Sequence, residues 1–146
     1  MSSKVSFATT FEVRDACLCL HVQRAARTLA RRFDQSLQPL GITNGQFSLL
    51  MSLNRPHPPA IAPVARLLGM SRTTLTAALK PLERDGLVAV EVDPEDRRSR
   101  LLRLTDAGHD ILLRAVPIWR RTHAEVHAEL GEGGADALRS ALLALS

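Results

Sequence analysis

MSRTTLTAALKPLERDGLVAVEVDPEDRRSRLLRL, Met70–Leu104, runs a helical pattern directly into a hairpin pattern. Ser71 is a residue type that N-caps helices. Leu75, Leu79 and Leu82 follow at i, i+4 and i+7 and form one apolar stripe. The other face carries Thr73, Thr76, Ala77 and Lys80, with Arg72 and Thr74 in the first turn. Pro81 lacks the N–H that a helix interior uses and is expected to bend the last turn. Asp85-Gly86 then closes the helix. Leu87–Val92 reads as a strand and Ser99–Leu104 as its antiparallel partner, with Asp93-Pro94-Glu95-Asp96 starting the turn. That turn holds Arg97 and Arg98 in water, with Arg100 just behind them.

Upstream, a short helix is expected over about 60–68, with Ile61, Val64, Ala65 and Leu68 inward and Gly69 at its end. Pro63 is tolerable there because it falls in the first turn. Two helices joined by a tight glycine-containing turn make a helix-turn-helix, and a hairpin after it makes the winged variety. In such a pair the second helix enters the major groove. Threonine can hydrogen-bond a base edge or touch a thymine methyl, and Lys80 can reach a phosphate. Taken alone, the same face is equally an ordinary solvated one. A solvated arginine pair has no folding purpose, but beside a groove-reading helix it can reach the adjacent minor groove, whose negative potential attracts arginine. Asp96 stands next to the pair and is expected to orient one guanidinium.

The flanks are helical. From about Thr10 to Leu37 the residues Leu18, Val22, Ala25, Leu29, Phe33 and Leu37 recur at spacings of three and four, after an arm, Met1 to about Ala8, expected to fray. Pro39 and Gly41 end that helix. Thr43, with Gln46 three residues on, is set up as a capping box for the next, which carries Phe47, Leu50, Met51 and Leu53. Asn54-Arg55-Pro56-His57-Pro58-Pro59 is a loop. Thr105 caps a long helix, about Asp106–Leu130, in which Pro117 is expected to make a kink; Gly131, Gly133 and Gly134 interrupt it before a last helix at about Ala135–Leu145. The fold class is therefore mainly α with a small β-hairpin wing. The expected organisation is an arm and dimerisation helix over 1–42, a winged helix-turn-helix over 43–104 and dimerisation helices over 105–146. The first and last helices carry long apolar stripes with no partner inside a winged core. Exposed apolar surface of that extent marks an interface, and a two-fold homodimer covers it most simply. Two recognition helices one helical turn apart call for a pseudo-palindromic duplex.

Composition agrees without deciding. The net charge of +4 is modest, but only Lys4 and Lys80 are lysines, so arginine supplies 17 of the 19 basic residues. Arginine suits bidentate contacts to phosphate and guanine. Aromatic residues are 3% of the chain, with one Trp and no Tyr, so the core must be aliphatic. No apolar run approaches the ~20 residues of a membrane span, and the start lacks the apolar stretch of a secretory signal, which points to the cytoplasm and away from membranes.

The stretches GMSRTTLTAALKPLERDGLV and DPEDRRSRLLRLTDAG resemble the MarR family of winged-helix transcriptional regulators, over about Val13–Leu145. The more specific part is Asp-x-Arg at the wing (Asp96, Arg98), followed by the Leu-Thr that opens the long helix at Thr105. The resemblance implies a homodimer, repression as the usual mode, and release of DNA when a small aromatic or phenolic compound binds between the dimer helices and the winged domain. His21, Arg24, His109 and Trp119 are candidates to line such a pocket. Within the family, organic-peroxide sensors carry a reactive cysteine near the start of the first helix, and Cys19 looks like the matching position, with Cys17 secondary. Those sensors hold the thiolate with tyrosines; here Gln23 and Phe33 stand at the expected places. On one continuous helix Cys17 and Cys19 would point to nearly opposite faces, which excludes a bridge between them.

Other chemistry is weakly supported. His123 and His127 sit at i, i+4 on one helix face and could share a zinc, but a pair supplies only half of a tetrahedral set. There is no nucleophile–base constellation and no phosphate-cradling glycine loop, so an enzyme is not expected; a thiol enzyme on Cys17 and Cys19 is the remote alternative. No cofactor is implied.

Overall fold

The computed structural model describes residues 3–146. Among these, the helices are α1 (Phe7–Ala16), α2 (Leu18–Leu37), α3 (Asn44–Ser52), α4 (Ile61–Leu68), α5 (Arg72–Arg84), α6 (Asp106–Leu130) and α7 (Gly134–Ala144). A single 3-10 turn, Gln38–Leu40, follows α2. The strands β1 (Val88–Val92) and β2 (Arg100–Leu104) pair antiparallel, with Val88 opposite Leu104 and Val92 opposite Arg100. A mainly α fold with a hairpin wing is thus present, and each long element lies within a few residues of its expected place.

The capping box forms as the sequence implies. The Thr43 side chain accepts from the Gln46 N–H, and the Gln46 side-chain oxygen accepts from the Thr43 N–H. Gly69, at φ 65°, closes α4 in the left-handed region that L side chains rarely adopt, and the Met70 N–H bonds back to the Ala65 carbonyl. This sets the tight turn into α5. Leu75, Leu79 and Leu82 are buried against a core that includes Leu37, Leu49, Leu50, Val64, Val88, Leu102, Ile111 and Leu112. Such a core, aliphatic and centred on the winged unit, locks the helix-turn-helix, the hairpin and the first turns of α6 together.

Two expectations need correction. The first helix is two helices: Cys17 is extended (φ −69°, ψ 111°) and separates α1 from α2. Neither glycine nor proline marks this break, so helical periodicity ran through it unseen. The helix also starts at Phe7, capped by Ser6 accepting from the Thr9 N–H, so the last part of the arm expected to fray, Ser6–Ala8, belongs to it; Met1 and Ser2 lie outside the described residues. Both α5 and α6 hold a proline inside the helix, Pro81 and Pro117, and stay helical across it. Pro117 is on the exposed side of α6, where the Leu113 carbonyl it leaves free can take water.

The flanking helices are not wholly without partners in the chain. Along α2, Leu37 is fully buried and Leu29 and Phe33 are half-buried, while α6 lies alongside. Arg32 makes paired hydrogen bonds of 2.8 and 2.6 Å to the Glu129 carboxylate. The buried Thr122 hydroxyl donates to Ser36, which donates to the Arg32 carbonyl. The exposed apolar side chains concentrate instead on α1, the first half of α2 and α7: Phe7, Val13, Leu18, Leu138 and Leu143 among them.

Candidate nucleic-acid interface

Helix α5, the candidate recognition helix, is capped at its N-terminus by Ser71. Its hydroxyl accepts from the Thr74 N–H at 3.1 Å and donates to the Thr74 hydroxyl at 2.9 Å. Both side chains are exposed, but they complete the helix start and hold its first turn in shape. Arg72, Thr73, Thr76, Ala77 and Lys80 are exposed on the face opposite the leucine stripe. The stripe buried on one side therefore leaves a short, polar, basic surface on the other, free of any acidic side chain until Glu83.

At the wing, Arg97, Arg98 and Arg100 are all exposed. Arg100 folds back, its guanidinium donating to the Arg97 and Ser99 carbonyls at 3.2 Å. Arg97 and Arg98 have no ion-pair partner among the described residues. Asp96 does not orient a guanidinium. Its carboxylate accepts from the Arg98 backbone N–H at 3.1 Å, and its carbonyl accepts from the Ser99 N–H at 2.9 Å. Asp93 does the same one step earlier, accepting from the Glu95 N–H. Each is an Asx turn, in which a short acidic side chain stands in for a backbone acceptor. Asp96 thus shapes the wing through the backbone, and the arginine side chains stay free. Behind the tip, Arg103 pairs with Glu91 across the strands at 2.9 Å.

Sequence reasoning missed the parts that fasten this surface. The Leu102 N–H donates to the Pro59 carbonyl and Ala60 bridges Leu101, so the residues before α4 form a third edge of the wing. Gly108, in the first turn of α6, is buried against the turn that leaves α5. A glycine where alanine is the better helix former was the available signal.

The other candidates are scattered. His109 lies in an open groove of about 370 Å³ between α3 and α6, floored by Met51, Leu112 and Val116 and edged by Asn54 and Arg120. Trp119 does not share it; it stacks between Phe47 and His123, at 6.2 and 4.7 Å. His127 is the next ring along, 6.3 Å from His123, and no third metal-binding side chain joins the pair among the described residues. His21 Nδ1 contacts the Cys17 carbonyl at 2.7 Å, and Arg24 is exposed on α2; neither lines the α3–α6 groove. Cys17 and Cys19 are free thiols. Cys19 is exposed, with the Gln23 amide donating to its sulfur at 3.4 Å. Because Cys17 lies outside the helix, helix geometry does not exclude a bridge between the two. No helix among the described residues is long and apolar enough to cross a membrane.

Comparison with known proteins converges on one family. A profile described as the MarR family matches residues 42–99. The transcriptional activatory protein BadR of Rhodopseudomonas palustris is 34% identical over 113 residues, which are 75% of this chain and 65% of BadR, so this chain spans just under two thirds of that relative. The organic hydroperoxide resistance transcriptional regulator of Bacillus subtilis is 30% identical over 101 residues, 69% of each chain. The crystal structure of the M. tuberculosis transcriptional regulator MosR in complex with DNA superimposes with a TM-score of 0.81 at 38% identity, covering 89% of this chain and 93% of that one. Sequence motif, wing geometry and these likenesses agree: the chain belongs to the MarR family of winged-helix transcriptional regulators.

Proposed function

We propose that this protein binds pseudo-palindromic double-stranded DNA as a homodimer and represses transcription until a signal releases it. The observation that carries the DNA reading is the pairing of an acid-free α5 face with a preshaped, unpaired arginine tip. Thr73, Thr76 and Lys80 read the major groove, with Arg72 and the capped first turn at Ser71 and Thr74 meeting the backbone. Arg97 and Arg98 enter the minor groove, and Arg100 stiffens the tip behind them. Residues 43–104 form the DNA-binding unit, and 1–42 with 105–146 form the dimer. The exposed apolar side chains of α1, α2 and α7 support that division. The test is selection of bound duplexes from a random pool, followed by fluorescence anisotropy on the winners. Enrichment of an inverted repeat is expected; no enrichment would overturn the reading. In vitro transcription from a promoter carrying the site gives the sign of regulation, and activation in place of repression would refute the repressor reading.

The signal we propose is a small aromatic or phenolic compound in the α3–α6 groove. Its volume falls within the range of small-molecule sites, and an apolar floor edged by Arg120, His109 and Asn54 suits a ring bearing an anionic or hydroxyl group. Calorimetry with a panel of phenolic acids, and the same panel in the anisotropy assay, tests it.

A thiol switch is the second reading, favoured by one observation: the exposed Cys19 sulfur accepts the Gln23 amide N–H. Oxidation to a sulfenic acid or mixed disulfide would add a polar or bulky group on an apolar interface helix. Operator release by organic hydroperoxide in wild type, abolished in Cys19→Ser, supports it. Release by both, or by neither, refutes it and leaves the small-molecule signal.

A further inference from the structure

We propose that Thr105 and Gly108 are positioning residues that clamp the recognition helix and wing to α6 as one rigid lever, and that this joint sets the half-site spacing the dimer accepts. The inference rests on the DNA-binding reading above. Thr105 stands where β2 passes into α6. Its hydroxyl donates to the Gly86 carbonyl at 2.7 Å and accepts from the Gly108 N–H at 3.1 Å, while its own N–H donates to the Leu87 carbonyl at 3.1 Å. Gly86 and Leu87 are the turn that leaves α5. One threonine thus joins the start of α6, the end of the wing and the exit of the recognition helix.

Gly108 makes the joint close. A Cβ there would collide with the Leu87 carbonyl oxygen and stand 2.6 Å from Leu104 Cδ1. The first of these is backbone and cannot swing aside. On the far side of the wing, Leu102 and Leu101 hold the segment before α4. No flexible linker separates α4, α5, the hairpin and α6. From the joint, α6 runs to Leu130, a length of roughly 35 Å at the ordinary helical rise. A rotation of about 5° over that length displaces the far end by roughly 3 Å, close to the 3.4 Å rise of one base pair. A joint loosened by a few degrees therefore blurs spacing by about one base pair, whereas an intact one does not.

The test uses the full chain and the inverted repeat that wild type enriches from random duplexes. Affinity is measured on a series in which the gap between half-sites is lengthened or shortened by one and two base pairs, alongside thermal melting. Wild type is expected to lose about tenfold at one base pair off its optimum, the equivalent of ~1.4 kcal/mol. Thr105→Val, which keeps the shape and loses both hydroxyl hydrogen bonds, is expected to flatten that difference to about threefold or less. Thr105→Ser is expected to restore it, and Gly108→Ala to flatten it if it folds; if it does not, Thr105→Val carries the test. Merely structural roles would lower melting and all affinities in parallel, and an unchanged spacing profile in Thr105→Val overturns the inference. So does a wild type indifferent to spacing. A wild type that enriches no sequence overturns the DNA reading itself.

Discussion

The wing gives the sharpest single test, because the two roles open to Asp96 respond oppositely to one change. Its carboxylate accepts the Arg98 N–H at 3.1 Å and touches no guanidinium. Asp96→Ala removes that acceptor and leaves an exposed N–H that water can satisfy, so the fold is barely affected. What is lost is the preset shape of the tip. One charge-assisted hydrogen bond contributes about 1–2 kcal/mol to holding a turn. A dimer uses two wings, so about 2–4 kcal/mol of ordering must then come from binding, a loss of roughly 30- to 1,000-fold in operator affinity. The new positive balance at the tip offsets part of this, which favours the lower end. Asp96→Asn keeps an Asx-turn acceptor while removing the charge that repels phosphate. It is expected to bind the operator as tightly as wild type or more tightly. Anisotropy titrations of the three proteins at one salt concentration decide the matter. If Asp96→Asn is as weak as Asp96→Ala, the carboxylate acts through its charge on an arginine side chain, and the backbone account is wrong.

Other outcomes follow from the same surface. Arg98→Ala is expected to weaken binding to all sequences and to lower the salt slope by about 0.9 per lost phosphate contact; an unchanged affinity and slope would remove Arg98 from the interface. Thr76→Val keeps the shape of the recognition face but loses its hydroxyl, so selection from random duplexes should return a changed base at one position in each half-site, and an identical consensus would count against base reading by Thr76. Sedimentation at micromolar concentration is expected to show a dimer, and a stable folded monomer would refute the assigned role of α1, α2 and α7. Arg32 holds the Glu129 carboxyl below its ordinary 4.5 by hydrogen bonding, against a smaller opposing effect of burial. A depressed carboxyl stabilises the fold above its unfolded value and loses that contribution as pH falls through the folded one. Glu129→Gln should therefore lower Tm at pH 7, with the difference from wild type shrinking as pH falls below the ordinary carboxyl range and vanishing once the folded carboxyl is protonated; a difference that persists in strong acid would show that the pair is not its source.

What was legible in the sequence was what local chemistry dictates. The Thr43–Gln46 capping box, the Leu75–Leu79–Leu82 stripe, the Ser71 cap and the hairpin each depend on residues a few positions apart. The illegible features, the break at Cys17 aside, depend on what arrives from elsewhere. Nothing in Asp-Ala-Cys-Leu-Cys breaks a helix, and α1 buries no residue that would account for the extended Cys17, so the break has no structural explanation here. Asp96 was assigned to the neighbouring charge, though a short acidic side chain two residues before an N–H in a turn more readily serves the backbone. Gly108 was visible as a letter, but its reason is a carbonyl twenty-one residues earlier in the chain. Candidate site residues divided along the same line: exposure on α5 and the wing followed from periodicity, whereas the pocket residues His21, Arg24, His109 and Trp119 were grouped by type and the fold distributes them to different places.

These long-range contacts also bear on how a signal would reach DNA. The groove beside α3 is lined by His109, next to Gly108 on the same helix, and by Leu112, one turn further along. A compound that wedges α3 from α6 there acts within one helical turn of the joint that holds the recognition helix. Cys19 lies at the other end of the system, but α2 grips α6 through Arg32 with Glu129 and through Ser36 with Thr122. On the proposed lever, a disturbance of α2 would pass to the far end of α6, where a small angular change would become a displacement on the scale of one base pair at the reading surface. Ligand and thiol signals would thus converge on the same helix. They differ in where the force is applied: a groove ligand bypasses the Arg32–Glu129 and Ser36–Thr122 contacts, whereas a thiol signal must cross them.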